Sequence, residues 1–173
     1  KIKKIKKNKT YKNFKYYRYK EFSKIISRLN GKNFCIDSAT CSVSNEFIIK
    51  SFFNITSHID PCYIMKSVKN STEIKSMTKA HIEDGFALTK FIFWIKNINK
   101  KKVTEIDAKN KLEKFRKINK NYLFPSFNTI SGTGSNGAIV HYKASKKSNK
   151  IIKKNDIFLC DSGGQYKYGT TDV

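Results

Sequence analysis

Asp161 and Asp172 stand near the end of the chain, separated by the segment SGGQYKYGTT, which has a turn near residues 167–169. If the flanking strands pair symmetrically about Tyr166 and Lys167, the two aspartates face each other on one side of an antiparallel ribbon, with side chains about 5 Å apart. Two carboxylates at that separation repel. Asp161 also follows the apolar run Ile157, Phe158, Leu159 and Cys160, and a poorly hydrated carboxylate needs a partner. A divalent cation gripped by both groups removes the conflict and supplies a Lewis acid. The plainer alternative is a pair of strand-end residues in solvent, and spacing alone does not separate the two.

His141 precedes Asp161 by twenty residues. Placed beside an acidic hairpin, its imidazole becomes a candidate proton donor or substrate contact, although a lone His is more commonly packed or on the surface. His58 has no comparable context, and His81 falls on an apolar helical stripe and is assigned a structural role. Gly132, Gly134 and Gly137 satisfy G-x-G-x-x-G. That pattern binds dinucleotides only between a strand and a helix. Here a β-like run, 138–142, follows it, so the glycines are assigned to turns with positive φ.

Two helices must carry this arrangement. Asn70 and Glu73 have capping-box spacing. Ile74, Met77, His81, Leu88, Phe91, Ile92, Ile95 and Ile98 then recur on one helical face to about Asn99. Phe86, Phe93 and Trp94 widen the stripe and imply cover on more than one side. Thr104 and Asp107 repeat the cap spacing after the polar break 100–102 and start a second helix ending near Asn119. From Pro125 onward short β-like runs appear, 127–130, 138–142 and 157–160, the last followed by residues 161–164, a turn and residues 170–172. Helices followed by an antiparallel sheet make an α+β class. Residues 21–64 form an α/β segment too irregular to order, and residues 62–68 look like an extended connector.

The 173 residues carry 36 Lys+Arg against 13 Asp+Glu, a net charge of +23. Residues 1–20 contain ten of the basic side chains and no acid, and residues 11–22 interleave aromatics with cations as a single-strand nucleic-acid surface does. Lys continues through every later segment, however, so a solvated Lys-rich surface explains the charge better than a dedicated nucleic-acid face. With 39% hydrophobic and 13% aromatic residues the chain is too apolar to be disordered throughout. No apolar run reaches the roughly 18 residues of a spanning helix, and no apolar segment of signal-peptide type follows the basic start. A soluble, cytoplasmic protein is expected. Cys35, Cys41, Cys62 and Cys160 form no C-x-x-C pair and are read as reduced and structural.

Residues 126–142 (SFNTISGTGSNGAIVHY) and 158–173 (FLCDSGGQYKYGTTDV) closely resemble the aminopeptidase P family, the Xaa-Pro aminopeptidases of the creatinase/methionine-aminopeptidase superfamily. Residues 66–81 (KSVKNSTEIKSMTKAH) resemble the start of that family's catalytic domain. The resemblance implies the pita-bread fold, with residues 65–173 as the first half of the catalytic domain and residues 1–64 as the tail of a preceding creatinase-N-like domain. It implies two divalent metal ions, manganese first, with zinc or cobalt as alternatives. Asp161 would chelate one metal and Asp172 would bridge both, while His141 would contact the substrate near the scissile carbonyl. A peptide with proline second would be the substrate, and a homodimer a possible assembly. One His and two Glu further along complete the family's metal shell. Because the sequence stops one residue after Asp172, an inactive fragment is expected. A catalytically dead pita-bread protein and a basic nucleic-acid module are the alternatives.

Overall fold

A computed structural model describes residues 15–98 and 102–173. The basic segment 1–14, part of the aromatic/Lys run, and most of the polar break 100–102 lie outside the described residues. The chain divides into two compact units, Lys1–Val68 and Lys69–Val173.

In the first unit, helix α1 (Phe22–Ile26) precedes strand β1 (Asn33–Ile36), helix α2 (Val43–Lys50), strand β2 (Asn54–Ser57) and helix α3 (Pro61–Ser67). β1 and β2 pair in parallel, Asn33 with Asn54 through Ile36 with Ser57, and α2 supplies the crossover that a parallel pair requires. Ile26, Ile36, Ile49 and Phe53 form its core. The order hidden in the irregular pattern is therefore a β-α-β unit. Residues 62–68 are not an extended connector. The Asp60 carboxylate accepts from the Cys62 N–H at 2.8 Å, Pro61 takes the first helical position, and together they start α3.

In the second unit, helix α4 (Ser71–Lys96) and helix α5 (Glu105–Arg116) pack on each other. Both begin with the expected reciprocal caps. Asn70 accepts from the Glu73 N–H at 2.9 Å while Glu73 accepts from the Asn70 N–H at 2.8 Å. Thr104 and Asp107 repeat the exchange at 3.2 and 3.0 Å. The α5 helix stops at Arg116, earlier than the apolar pattern implies. The stripe on α4 is narrower than expected. Its buried residues are Ala80, Asp84, Ala87 and Phe91, whereas Phe86 and Phe93 are exposed among the described residues. His81 turns back onto its own helix, its Nδ1 lying 2.9 Å from the Met77 carbonyl.

Strand β3 (Tyr122–Pro125), strand β4 (Ile130–Thr133), strand β5 (Phe158–Asp161) and strand β6 (Gly164–Tyr166) complete the unit. β3 pairs antiparallel with β6, and β4 with β5, with Ile130 opposite Asp161. Residues 138–142 are not a strand. β4 runs directly into a 3-10 turn, Gly134–Ala138. Of the three loop glycines only Gly134 has positive φ, at 53°. Gly132 is small because a Cβ there would sit 3.0 Å from the Asn136 backbone.

One apolar cluster gathers Phe91, Ala108 and Leu112, with Phe158 and Cys160 of β5 packed against it. Another joins Ala80 of α4 to Tyr122 and Tyr166. The helices thus form the floor on which the strands lie. Because the Asn70 box satisfies two donors at the entry to α4, Asn70→Ala should lower stability by about 1 kcal/mol, measured by denaturant unfolding.

Candidate functional site

The chain end folds back on itself as a hairpin whose tip is Lys167 and Tyr168, closed by Tyr166 N–H donating to the Gly169 carbonyl at 2.8 Å. Ser162 and Val173 exchange both main-chain hydrogen bonds, at 2.9 and 3.0 Å, and Thr171 N–H donates to the Gly164 carbonyl at 2.9 Å. This register differs from the symmetric pairing about Tyr166 and Lys167. Asp172 stands opposite Gly163, and Asp161 lies one pleat further along. The aspartates are diagonal neighbours, for which Cα separations of roughly 7–8 Å are usual, rather than a directly opposed pair. They still share a face, because Asp161 and Gly163 are two residues apart on one strand and Asp172 faces Gly163.

Pleat alternation sends the adjoining residues the other way. Ser162, next to Asp161, and Thr171, next to Asp172, are both fully buried. Asp161 is half-buried and Asp172 exposed. Neither carboxylate makes a hydrogen bond or ion pair among the described residues. Gly163 and Gly164 lie within the ribbon, and a Cβ on Gly163 would be 2.0 Å from the Thr171 carbonyl oxygen. That close approach brings the two aspartate-bearing strands together.

His141 is exposed and has φ 55°, the one non-glycine residue with positive φ among the described residues. A left-handed conformation costs a side-chain-bearing residue about 1 kcal/mol or more, so the surrounding structure must hold it. Its neighbour Tyr142 does so. The Tyr142 hydroxyl donates to Glu105 at 2.8 Å.

Glu105 is a fully buried carboxylate at the start of α5. It also accepts from the Thr133 N–H at 2.8 Å, the Asn136 amide at 3.0 Å and the Lys150 N–H at 3.1 Å. Burial alone would raise its pKa, but these donors outweigh burial and hold the carboxyl below its ordinary value. Glu105 thereby binds β4, the glycine turn and the His141 segment to one helix end.

A second buried carboxylate, Asp84 on α4, performs the matching task for the hairpin. Arg116 engages it bidentately, Nε to Oδ1 at 2.6 Å and Nη2 to Oδ2 at 2.9 Å. The Tyr166 hydroxyl donates to Oδ1 and the Thr171 hydroxyl to Oδ2, each at 2.8 Å, and Arg116 Nη2 reaches Ser162 Oγ at 3.1 Å. Asp84 and Arg116 are each 1% exposed. Burial pushes the Asp84 carboxyl up, but the Arg116 guanidinium and the two hydroxyls more than reverse this and hold it below the usual carboxylate value. Burial and the Asp84 contact push the Tyr166 hydroxyl up, which keeps it a donor.

The sequence reading missed Asp84, Glu105 and Arg116, yet two signals were present. Asp84 occupies a stripe position between His81 and Leu88, where an apolar residue is expected. Arg116 is one of only three arginines, with Arg18 and Arg28, among 36 basic residues. Where Lys is so favoured, a retained Arg marks a place that needs a planar fork.

Asp161 and Asp172 supply hard oxygen donors of the type that divalent ions prefer. Their shared face and lack of other partners fit a cation. Among the described residues no group of three or more His, Cys, Asp or Glu side chains could hold a metal ion.

The depressed pKa of Asp84 fixes the sign of an acid effect. Its contribution to stability is full above the unfolded value of about 3.9 and is lost as pH falls through the lower folded value. Stability should therefore fall as pH drops below about 4. Asp84→Asn should cost about 3–5 kcal/mol at neutral pH by leaving Arg116 buried and unpaired, and should show a shallower loss in acid. Denaturant unfolding across pH 2–7 measures both.

Residues 75–173 match the model of metallopeptidase family M24. A protein of Paracoccidioides brasiliensis (strain Pb03) named "Probable Xaa-Pro aminopeptidase P" is 50% identical over 111 residues, 62% of this chain and 18% of its own length. A Sordaria macrospora protein of the same name is 46% identical over 123 residues, 67% of this chain and 20% of its own. The chain thus spans about a fifth of the length of these curated relatives. The crystal structure of X-prolyl aminopeptidase from Caenorhabditis elegans, described as a cytosolic enzyme with a di-nuclear active site, superposes with TM-score 0.76 at 27% identity, over 90% of this chain and 27% of that one. Prolidase from Pyrococcus horikoshii OT3 shares the fold, with TM-score 0.72 at 24% identity over 92% of this chain and 44% of its own. The resemblance to aminopeptidase P and the α+β pita-bread class are both borne out. With more than half of its length matched, the chain belongs to metallopeptidase family M24.

Proposed function

We propose that the complete protein is a metal-dependent Xaa-Pro aminopeptidase, to which this chain contributes the first part of the active site. The observation that carries the reading is the pair Asp161 and Asp172 on one face of a clamped hairpin, without a hydrogen-bond or ion-pair partner among the described residues, in a chain of this family. The division after Val68 supports residues 65–173 as the first half of the catalytic domain, with residues 1–64 ending a creatinase-N-like domain. No helix among the described residues is long and apolar enough to cross a membrane, and a cytoplasmic homodimer is the assembly we favour. The family match favours a peptidase over a basic nucleic-acid module.

Asp161 and Asp172 would hold two divalent metals, manganese first, completed by one His and two Glu from further along the complete protein. Bound there, the metals supply carbonyl polarisation and an activated water. The chain's own residues do the rest. Asp161 and Asp172, by holding the metals, would seat the substrate's free amine beside them, which accounts for exopeptidase behaviour. His141, held in its turn by Tyr142, donates an N–H to the oxygen that gains charge as the scissile carbonyl becomes tetrahedral.

In the manganese-loaded complete protein, Asp161→Asn and Asp172→Asn should each lower kcat/KM for an Xaa-Pro peptide by about a thousandfold or more. A wild-type protein that fails to release the first residue of such a peptide ends the assignment. His141→Ala should lower kcat by about a hundredfold to a thousandfold. His141→Gly should be equally inactive yet more stable than His141→Ala by about 1 kcal/mol, because glycine accepts the left-handed backbone. Turnover and thermal unfolding together check this.

A further inference from the structure

Two strands carry the two aspartates, so the grip on a cation depends on how the strands are held as well as on the carboxylates. Main-chain pairing sets which residues face each other but leaves a two-stranded ribbon free to twist. In this hairpin the twist is restrained from behind. Asp84 accepts Tyr166 on one strand and Thr171 on the other, both at 2.8 Å, while Arg116 reaches Ser162 at 3.1 Å. Ser162 and Thr171 are the residues adjoining the two aspartates. With the two arginine contacts, four donors occupy the Asp84 carboxylate, about its full acceptor capacity.

Thr171 is the pivot of this arrangement. Its hydroxyl accepts the Gly164 N–H at 2.9 Å while donating to Asp84. Its carbonyl, left free by that exchange, accepts from Ser126 Oγ at 2.9 Å. A side-chain oxygen has thus entered the ladder between the strands and tied it to the helix floor.

We propose that Asp84 is a positioning residue which, through the hydroxyl of Thr171 and the guanidinium of Arg116, sets the spacing of Asp161 and Asp172 and thereby the affinity of the site for divalent cations. This rests on the metal reading above. Asp84 touches neither metal nor substrate. It acts through the side of the ribbon that the ligands do not use, as partners behind a metal site do generally.

The test uses the metal-stripped complete protein titrated with Mn2+ by calorimetry. Thr171→Val, which keeps the shape and removes the hydroxyl, should weaken Mn2+ binding roughly tenfold or more. Thr171→Ser should restore it. Tyr166→Phe, which removes a different donor from the same carboxylate, should shift affinity in the same direction and guards against a fold defect peculiar to Thr171→Val. Asn70→Ala lowers stability at a distance from the hairpin and should leave Mn2+ affinity unchanged. Unaltered affinity in Thr171→Val and Tyr166→Phe overturns the inference, as does an equal loss in Asn70→Ala, which would reduce the effect to general destabilisation. If the wild type itself takes up no Mn2+, the metal reading falls and the inference with it, an outcome distinct from wild-type binding that the variants retain.

Discussion

The ion pair between Asp84 and Arg116 is the constraint on which the second unit depends. Both groups are almost wholly shielded from water. A buried pair is tolerated only when desolvation is offset by good geometry and by hydrogen bonds that satisfy the remaining donors and acceptors. Here the fork is bidentate, and two hydroxyls and a serine complete it. Replacing such a pair with apolar residues of equal volume is often neutral for stability or better, so stability alone does not account for it. What it adds is direction. A hydrophobic floor would accept the hairpin in several tilts, whereas this carboxylate accepts it in one.

Helix α5 links that constraint to the rest of the site. Arg116 closes its last turn and Glu105 opens its first, about 16 Å apart along a straight helix. At one end Arg116 takes part in holding the strands that bear Asp161 and Asp172. At the other Glu105 holds the glycine turn and the Tyr142 hydroxyl beside His141. A helix is among the stiffest spacers a chain can make, so the separation between the imidazole segment and the acidic hairpin is set by a rigid element. The loops between them inherit their positions from it.

The sequence disclosed the parts whose signals are local. The caps at Asn70 and Thr104, the two helices and the acidic hairpin were legible because each depends on residues three to twelve apart. Residues 138–142 read as a strand because Ile139, Val140 and Tyr142 have high β propensity, but they leave the 3-10 turn Gly134–Ala138 and continue to turn, with Tyr142 N–H donating to the Ile139 carbonyl. The exact register of the hairpin was also out of reach. It depends on Thr171 inserting its hydroxyl into the ladder and on Gly163 allowing a backbone approach that any Cβ would block. Neither fact follows from alternation alone. The least legible feature was the network, because the bonds that Asp84 and Arg116 make in it span 32 to 87 residues.

The same network bears on how a Lys-rich chain keeps its carboxylates clear of its own cations. Thirteen acidic residues face 36 basic ones, so an unprotected carboxylate would readily be captured by a neighbouring lysine. Asp84 and Glu105 escape by burial, enclosed by donors of fixed geometry. Asp161 and Asp172 escape by orientation. The residues beside them turn inward to the network, and pleat alternation then directs both carboxylates to the opposite face, where no lysine or arginine pairs with them among the described residues. Two acids with matched direction and no partner among the described residues are the pair that the proposed function assigns to an external cation, and the buried pair behind them is what keeps that direction.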